Sequence, residues 1–330
     1  MKIPLSERLE RLTKWSERQN DRPLLGFTLD SQYPLHRYRA ARALPSGQIQ
    51  PQDMVVADYL GDSDRLYELH ENADGDLIWS SCPFWGIPWV EAALGCGVIA
   101  DHETGSTRSE PPAGFAQNPA IPEFSPDNPW VVKMLEFIPA LETHSGGCYA
   151  VGGTLMRGIS DLLSALYGGE DFIIAMYGKP GEVRDVVQRL TDFWISFGRC
   201  LSEHVPCFRG GYGSFFYGIW FENKTLWTQE DSAALLSPDL YEQFIHPGVC
   251  RITEALNNTV IHLHPSKFMP IDYLLSSKIG VIEMHIDKGG PTAEQLYETH
   301  AKVLAQNPLL IWGDLSEQDL EFIIKLGFPI

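Results

Sequence analysis

Two short segments concentrate the side chains that could do chemistry. Residues 260–265 read Val-Ile-His-Leu-His-Pro, and residues 280–287 read Gly-Val-Ile-Glu-Met-His-Ile-Asp. Both are apolar enough to be strands, and alternate side chains of a strand face the same way. His262 and His264 therefore share one face, and Glu283, His285 and Asp287 share another. A third segment, residues 309–314, ends with Asp314 at a strand-to-helix turn. Two chemistries fit such a set. Imidazole nitrogen and carboxylate oxygen hold zinc where thiolates are absent. The same groups serve as acid and base without a metal, since histidine titrates near neutral pH. A single histidine at a strand end would be read as a hydrogen-bonding partner for nearby loops. A His-x-His strand beside a Glu-x-His strand points to a site. No His-Glu-x-x-His helix and no Cys-x-x-Cys pair adds ligand spacing to the metal reading.

A second concentration lies at residues 80–98, where Trp85, Pro88, Trp89 and Glu91 stand between Cys82 and Cys96. Trp85 and Trp89 suit a flat or aromatic ligand, or else pin a loop to the body. Arg157 and Tyr217 are expected to join them in binding substrate. Neither cysteine has a basic neighbour in sequence that would activate its thiol. Cys200 falls on the apolar face of a helix and reads as core.

Elements that could position these residues follow from periodicity. Residues 149–155 form a short glycine-ended strand, and a helix-like stretch covers 159–178. Pro180 opens a helix running to about Val205, with Val183, Val186, Val187, Leu190, Trp194, Phe197 and Leu201 on one stripe. Residues 208–216 read as a strand whose glycines admit another backbone. Ser237-Pro238 opens the next helix, Thr292 and Gln295 form a capping box, and Ser316 caps a last helix that stops at Gly327. Residues 44–53 and 109–128 read as long loops, and an amphipathic helix opens the chain. Strand–helix alternation predicts a parallel sheet with crossover helices. At 330 residues, a single closed α/β barrel, (β/α)8, over residues 1–330 is expected, with an N-terminal helical extension; an open doubly wound sheet is the alternative. No glycine-rich nucleotide motif supports that alternative.

Bulk properties exclude several functions. The net charge of −18, without a basic stripe, argues against nucleic acid. No stretch is long and apolar enough to span a bilayer, and the opening residues do not form a signal peptide, so a cytoplasmic location is expected. Six scattered cysteines argue against a disulfide framework.

The order of several segments resembles the uroporphyrinogen decarboxylase-like superfamily, which includes the decarboxylase and corrinoid-dependent methyltransferases. SERLERLTKWSERQNDRPLLGF is similar to the family's opening helix and first strand. GGTLMRGISDLLSALYGGEDFIIAMYGKPGEVRDVVQRL is similar to its glycine-containing strand and the helix that follows. TQEDSAALLSPDLYEQFIHP places Asp231 before a Ser-Pro helix start, and WGDLSEQDL stands where the family has a Gly-Asn-x-Asp-Pro turn. VIHLHPS stands where the methyltransferases have His-x-Cys-Gly, so His262 matches the family's histidine and His264 replaces its first zinc-binding cysteine. No cysteine follows Cys250, and the chain stops at Gly-Phe-Pro-Ile, within what the resemblance reads as the final barrel strand. Either the sequence is a fragment or its site is assembled differently. HRYRAARALPSGQ carries Arg37, Arg39 and Arg42 without the decarboxylase's Arg-Gln-Ala-Gly-Arg stretch, which argues against a polyanionic tetrapyrrole.

The resemblance implies a (β/α)8 barrel and three functional readings. The first is methyl transfer between a small-molecule donor and a corrinoid on a partner protein, with zinc as a possible Lewis acid. His262 and His264 would be ligands, and Glu283 or Asp314 would complete the site. The second is a metal-free decarboxylase in which the histidines and Asp231 orient the substrate and supply a proton. The third is a ligand-binding barrel without turnover. Expected catalytic residues are Asp231, Glu283, His285 and Asp314.

Overall fold

The computed structural model describes residues 2–256 and 258–327. The expectation about the last residues of the chain falls on 328–330, outside the described residues.

Four parallel strands form the central sheet: Leu226–Gln229, Thr259–Leu263, Val281–Ile286 and Leu309–Gly313, neighbours in that order. Helices connect them, including His246–Ala255, Ile271–Ser276 and Tyr297–Leu304, and Glu317–Leu326 follows the last strand. A shorter parallel pair, Ser80–Ser81 with Ala150–Val151, continues the layer, and a parallel bridge from Leu155 to Trp227 joins it to the sheet. At the other edge the Trp312 indole donates to Thr28 Oγ1 at 3.1 Å, which brings in residues 24–29 without a ladder. The molecule is thus a mixed α/β fold on a parallel sheet. Its ladders do not trace a complete eight-stranded ring.

The first three strands of the sheet are buried on both faces and the last, Leu309–Gly313, is half-buried beyond Leu309; alternation along the strands sorts the two layers. Ile261, Leu263, Ile282, Met284 and Ile286 point outward into the main core shared with the helices. Trp227, Val260 and Val281 point inward to a second core. Leu12 and Trp15 of the opening helix, Leu5–Ser16, enter this inner core, and the Trp15 indole donates to Leu309 O at 3.3 Å. That helix covers the amino end of a strand, leaving the carboxyl ends for the polar residues.

Several expected elements form as read. Helix Pro180–His204 buries its predicted stripe. Ser237 accepts from Leu240 N, Ser316 and Asp319 make a reciprocal capping box, and Gly327 ends the last helix in the left-handed conformation. Cys200 packs at the edge of the main core.

Others differ. The helix expected over 159–178 is two, Ile159–Tyr167 and Asp171–Gly178, because Gly168 and Gly169 both take positive φ and break the ladder. The strand expected over 208–216 shrinks to Tyr212–Gly213, paired antiparallel with Trp220–Phe221. The chain reverses there through positive φ at Tyr217 and Gly218. A close approach does occur at Gly213, where a Cβ would meet Ser80 Oγ and Ala150 Cβ. The loop expected over 44–53 contains Gly47–Ile49, which pairs with Gly97–Asp101 and, through it, Ser106–Glu110 in a separate antiparallel sheet.

Candidate metal centre and adjoining cleft

Register explains the site. Glu283 lies opposite His262, and His285 lies opposite Trp312. Their side chains point inward, one pleat beyond Val260 and Val281, at the carboxyl ends of the strands. His264 follows its strand by one residue, and Asp231 follows Gln229, itself opposite His262, by two. The three imidazoles meet, with ring centres 4.7 Å apart for His262–His264 and His264–His285, and 5.6 Å for His262–His285. The ligand atoms of Asp231, His262 and His264 lie within 4.8 Å of one another. Two further sets, His262–Glu283–His285 and His264–His285–Asp287, meet the same limit.

Two of the imidazoles are held from behind by carboxylates. His262 Nδ1 pairs with Glu283 Oε2, and His264 Nδ1 pairs with Asp287 Oδ2 at 2.7 Å. In each pair Nδ1 faces a carboxyl oxygen, and the tautomer with its proton on Nδ1 leaves Nε2 with its lone pair, the usual arrangement behind a metal-binding histidine. His262 Nε2 faces Asp231 Oδ1 at 3.7 Å. The Tyr217 hydroxyl donates to Glu283 Oε2 at 3.1 Å and lies 2.9 Å from His262 Nδ1. Tyr217 holds this position with φ at +67°, a costly conformation for a bulky residue and one that collects at functional sites.

Burial sets the charges. It pushes the His262 pKa down to about 4 against the opposing pull of Asp231, so the ring is neutral and able to ligate. His285 is pushed down to about 4, first by burial and then by the other two imidazoles. Burial raises Glu283 well above the usual carboxylate range, and raises Asp231 with help from Asp161.

The unsatisfied atoms bear on what the site could hold. Asp231 Oδ1, Glu283 Oε1 and His285 Nδ1 are buried without a hydrogen-bond partner among the described residues. A buried polar group left unpaired is costly. Two of these three are carboxylate oxygens, and the third is an imidazole nitrogen able to offer a lone pair. A divalent cation bound by nitrogen and oxygen satisfies such a set, and three protein ligands with one open position is the pattern of catalytic zinc. Zinc fits the residues present: Asp231, His262 and His264 would hold it, with His285 beside them.

The remaining expected residues divide. Tyr217 stands between the imidazoles and a neighbouring cleft, and Trp85 lines that cleft. Arg157 is paired with buried Glu91 at 3.1 Å, and the charges of Asp161 and Asp231 also act on it. Asp314 belongs to none of the ligand sets, although its charge acts on His285. Trp89 requires a correction. It is 1% exposed, its indole donates to Phe84 O at 3.1 Å, and its ring packs against Trp130 and Phe137, so it is core. Cys82 and Cys96 are buried, and burial pushes the Cys96 thiol up to about 12, leaving neither reactive.

Sequence reasoning missed Trp312, whose ring stands 4.7 Å from His285 and 4.9 Å from Tyr217. Period-two counting from Leu310 would have placed it on the inner face. The cleft beyond Trp312 has a volume of about 810 Å³, including the part open to solvent. Phe27, Trp79, Trp85, Phe215, Tyr217 and Trp312 supply much of its wall. Its Trp79, Phe215 and Arg37 were also missed as site residues, because nothing local in the sequence marks them.

No family model and no curated protein matches the sequence. Among solved structures, the fold is similar to a methyltransferase from Methanosarcina mazei, with a TM-score of 0.57 at 14% identity. That likeness covers 97% of this chain and 98% of the other. Among the described residues no helix is long and apolar enough to cross a membrane.

Proposed function

We propose that the chain is a metal-dependent methyltransferase on a (β/α)8 barrel, moving a methyl group between a small molecule and a corrinoid cofactor carried by a partner protein. The observation that carries the metal part is the convergence of Asp231, His262 and His264, with buried acceptor atoms left unsatisfied around them. The fold likeness to a protein named as a methyltransferase supports the transfer part. Zinc bound there would supply Lewis acidity to a heteroatom of the donor or acceptor.

The chain's own residues have separate tasks. Glu283 and Asp287 fix the tautomer and aim of His262 and His264. Tyr217 fixes Glu283 in turn. Trp312 and Tyr217 wall the imidazoles on the cleft side, where substrate would approach and water would be thinned out. The test is incubation of zinc-loaded protein with methylcobalamin and a simple thiol, following loss of the methyl–cobalt absorbance. Demethylation that stops on chelation and in His262→Ala supports the reading, and demethylation indifferent to both contradicts it.

One observation favours a second reading, metal-free decarboxylation. Asp231 has a raised pKa beside a neutral imidazole and could deliver a proton to a carbanion. Metal-free protein that releases carbon dioxide from a porphyrinogen would establish it in place of the first.

A further inference from the structure

The cleft beside the imidazoles has the opposite polarity of need. Among the described residues that line it, each unsatisfied buried side-chain atom is a donor: Arg37 Nε, Trp79 Nε1 and Trp85 Nε1. Around the imidazoles the unsatisfied carboxylate oxygens call for a cation. Here unsatisfied N–H groups call for an acceptor.

Arg37 sharpens this. The residue is 4% exposed, yet among the described residues it belongs to no ion pair. Its contacts are a long bond to Ser31 O at 3.5 Å, an approach to His70 Nε2 at 3.4 Å, and the face of Phe215 at 6.0 Å. His70 offers no countercharge. Its Nε2 accepts from Leu29 N at 3.0 Å, its Nδ1 donates to Leu66 O at 2.7 Å, and burial lowers its pKa. Asp30, whose charge acts on Arg37 from outside hydrogen-bond reach, is already paired with Arg65 at 2.5 Å. A guanidinium held out of water without a carboxylate is unfavourable unless something else supplies the negative charge. In a chain of net charge −18, with carboxylates abundant, leaving this arginine unpaired is the more telling.

We infer that the cleft binds a planar, apolar monoanion, an aromatic carboxylic acid in chemical class, with its carboxylate on Arg37 and its far end toward Trp312 and the imidazoles. The walls set the planar body, since Trp79, Trp85, Phe215 and Trp312 offer ring faces and edges. The charge count sets a monoanion, since Arg37 is the one arginine among the described residues of the wall, no lysine lines it, and the wall's Glu71 is already neutralised by Arg8 at 2.8 Å and Lys2 at 2.7 Å. The proposal names the substrate class of the site proposed above and rests on that reading only for the ligand's direction.

The test uses 2-naphthoate and its uncharged isostere 2-naphthamide, titrated against the whole protein and followed by tryptophan fluorescence. The naphthoate is expected to bind about tenfold or more tightly than the amide, the range of a charge-assisted hydrogen bond. Arg37→Met is expected to abolish that preference. It is also expected to melt no lower than the parent, because it removes an unpaired buried charge, whereas a structural arginine would leave a less stable protein. Equal affinity for the two ligands, no binding of naphthoate by the parent, or a preference that survives Arg37→Met would each overturn the inference. If Arg37→Met fails to fold, the proposal fails on the stability arm, while the comparison of the two ligands on the parent still stands as a separate check. Zinc content, measured on the same samples, keeps the two readings apart. Zinc retained without naphthoate selectivity sinks only the cleft, and selectivity without zinc sinks only the metal centre.

Discussion

Replacing Glu283 by glutamine changes little in shape and much in charge, and its two effects should run in opposite directions. Glu283 is fully buried, one oxygen serves His262 and Tyr217, and the other has no partner. Glutamine keeps an acceptor oxygen but cannot form the charge-assisted bond that holds His262 as a ligand. Loss of a carboxylate behind a metal-binding histidine costs about 10–100-fold in affinity, or roughly 1.4–2.7 kcal/mol. Without metal the same substitution should stabilise. Burial raises the carboxyl's pKa above its ordinary value near 4.5, so the native state binds the proton more tightly than the unfolded chain. Its contribution is then full at low pH and falls as pH rises from that ordinary value through the raised one, by at most about 1.4 kcal/mol per pH unit. Glutamine does not titrate and removes that slope. Zinc affinity by competition with a chromophoric chelator, and urea midpoints of metal-free protein from pH 5 to 8, test both halves. The expected result is weaker zinc binding together with a stability advantage that grows with pH. Zinc affinity within about threefold of the parent would refute the role given to Glu283.

His300 is buried with neither ring nitrogen bonded, and burial pushes its pKa down to about 4. Stability is therefore lost as pH falls from its ordinary 6.5 toward 4, and His300→Leu should raise the unfolding free energy from urea titration by about 1–3 kcal/mol, more at pH 5 than at pH 7; a lower value would show an unseen role for the ring. Asp76 is buried between Arg11 and Arg22 and accepts from Leu25 N at 2.9 Å, so Asp76→Asn should cost about 3 kcal/mol, the low end for a buried pair because both guanidiniums reach water. Gly213→Ala should cost about 1–3 kcal/mol in a thermal melt, since the new methyl falls on Ser80 and Ala150.

The inner row of polar residues was legible because it breaks a rule locally. In strands buried on both faces every position is expected to be apolar, so His262, Glu283 and His285 at period two stand out from Val260, Ile261, Val281 and Ile282. What could not be read is what only the assembled fold brings together. Trp89 and Trp85 look alike in sequence, yet one packs into the core and the other lines a cleft, a difference made by the short helix Trp89–Ala93. Strand Ser106–Glu110 is polar throughout and has no fully buried residue, so no periodicity announced it. The hairpin at 212–221 was hidden by its aromatic composition, which reads as one strand until Tyr217 and Gly218 turn it back. Arg37 is one of three arginines in a short stretch, and only burial separates it from Arg39 and Arg42.

The central claim is that Asp231, His262 and His264 hold a metal through nitrogen and oxygen alone. X-ray absorption at the zinc edge tests it most directly, on protein loaded with one equivalent of zinc. The account predicts a first shell of nitrogen and oxygen at about 2.0–2.1 Å, with imidazole scattering that weakens in His264→Ala. A sulfur shell at about 2.3 Å, or zinc that washes away from the parent protein, would contradict it.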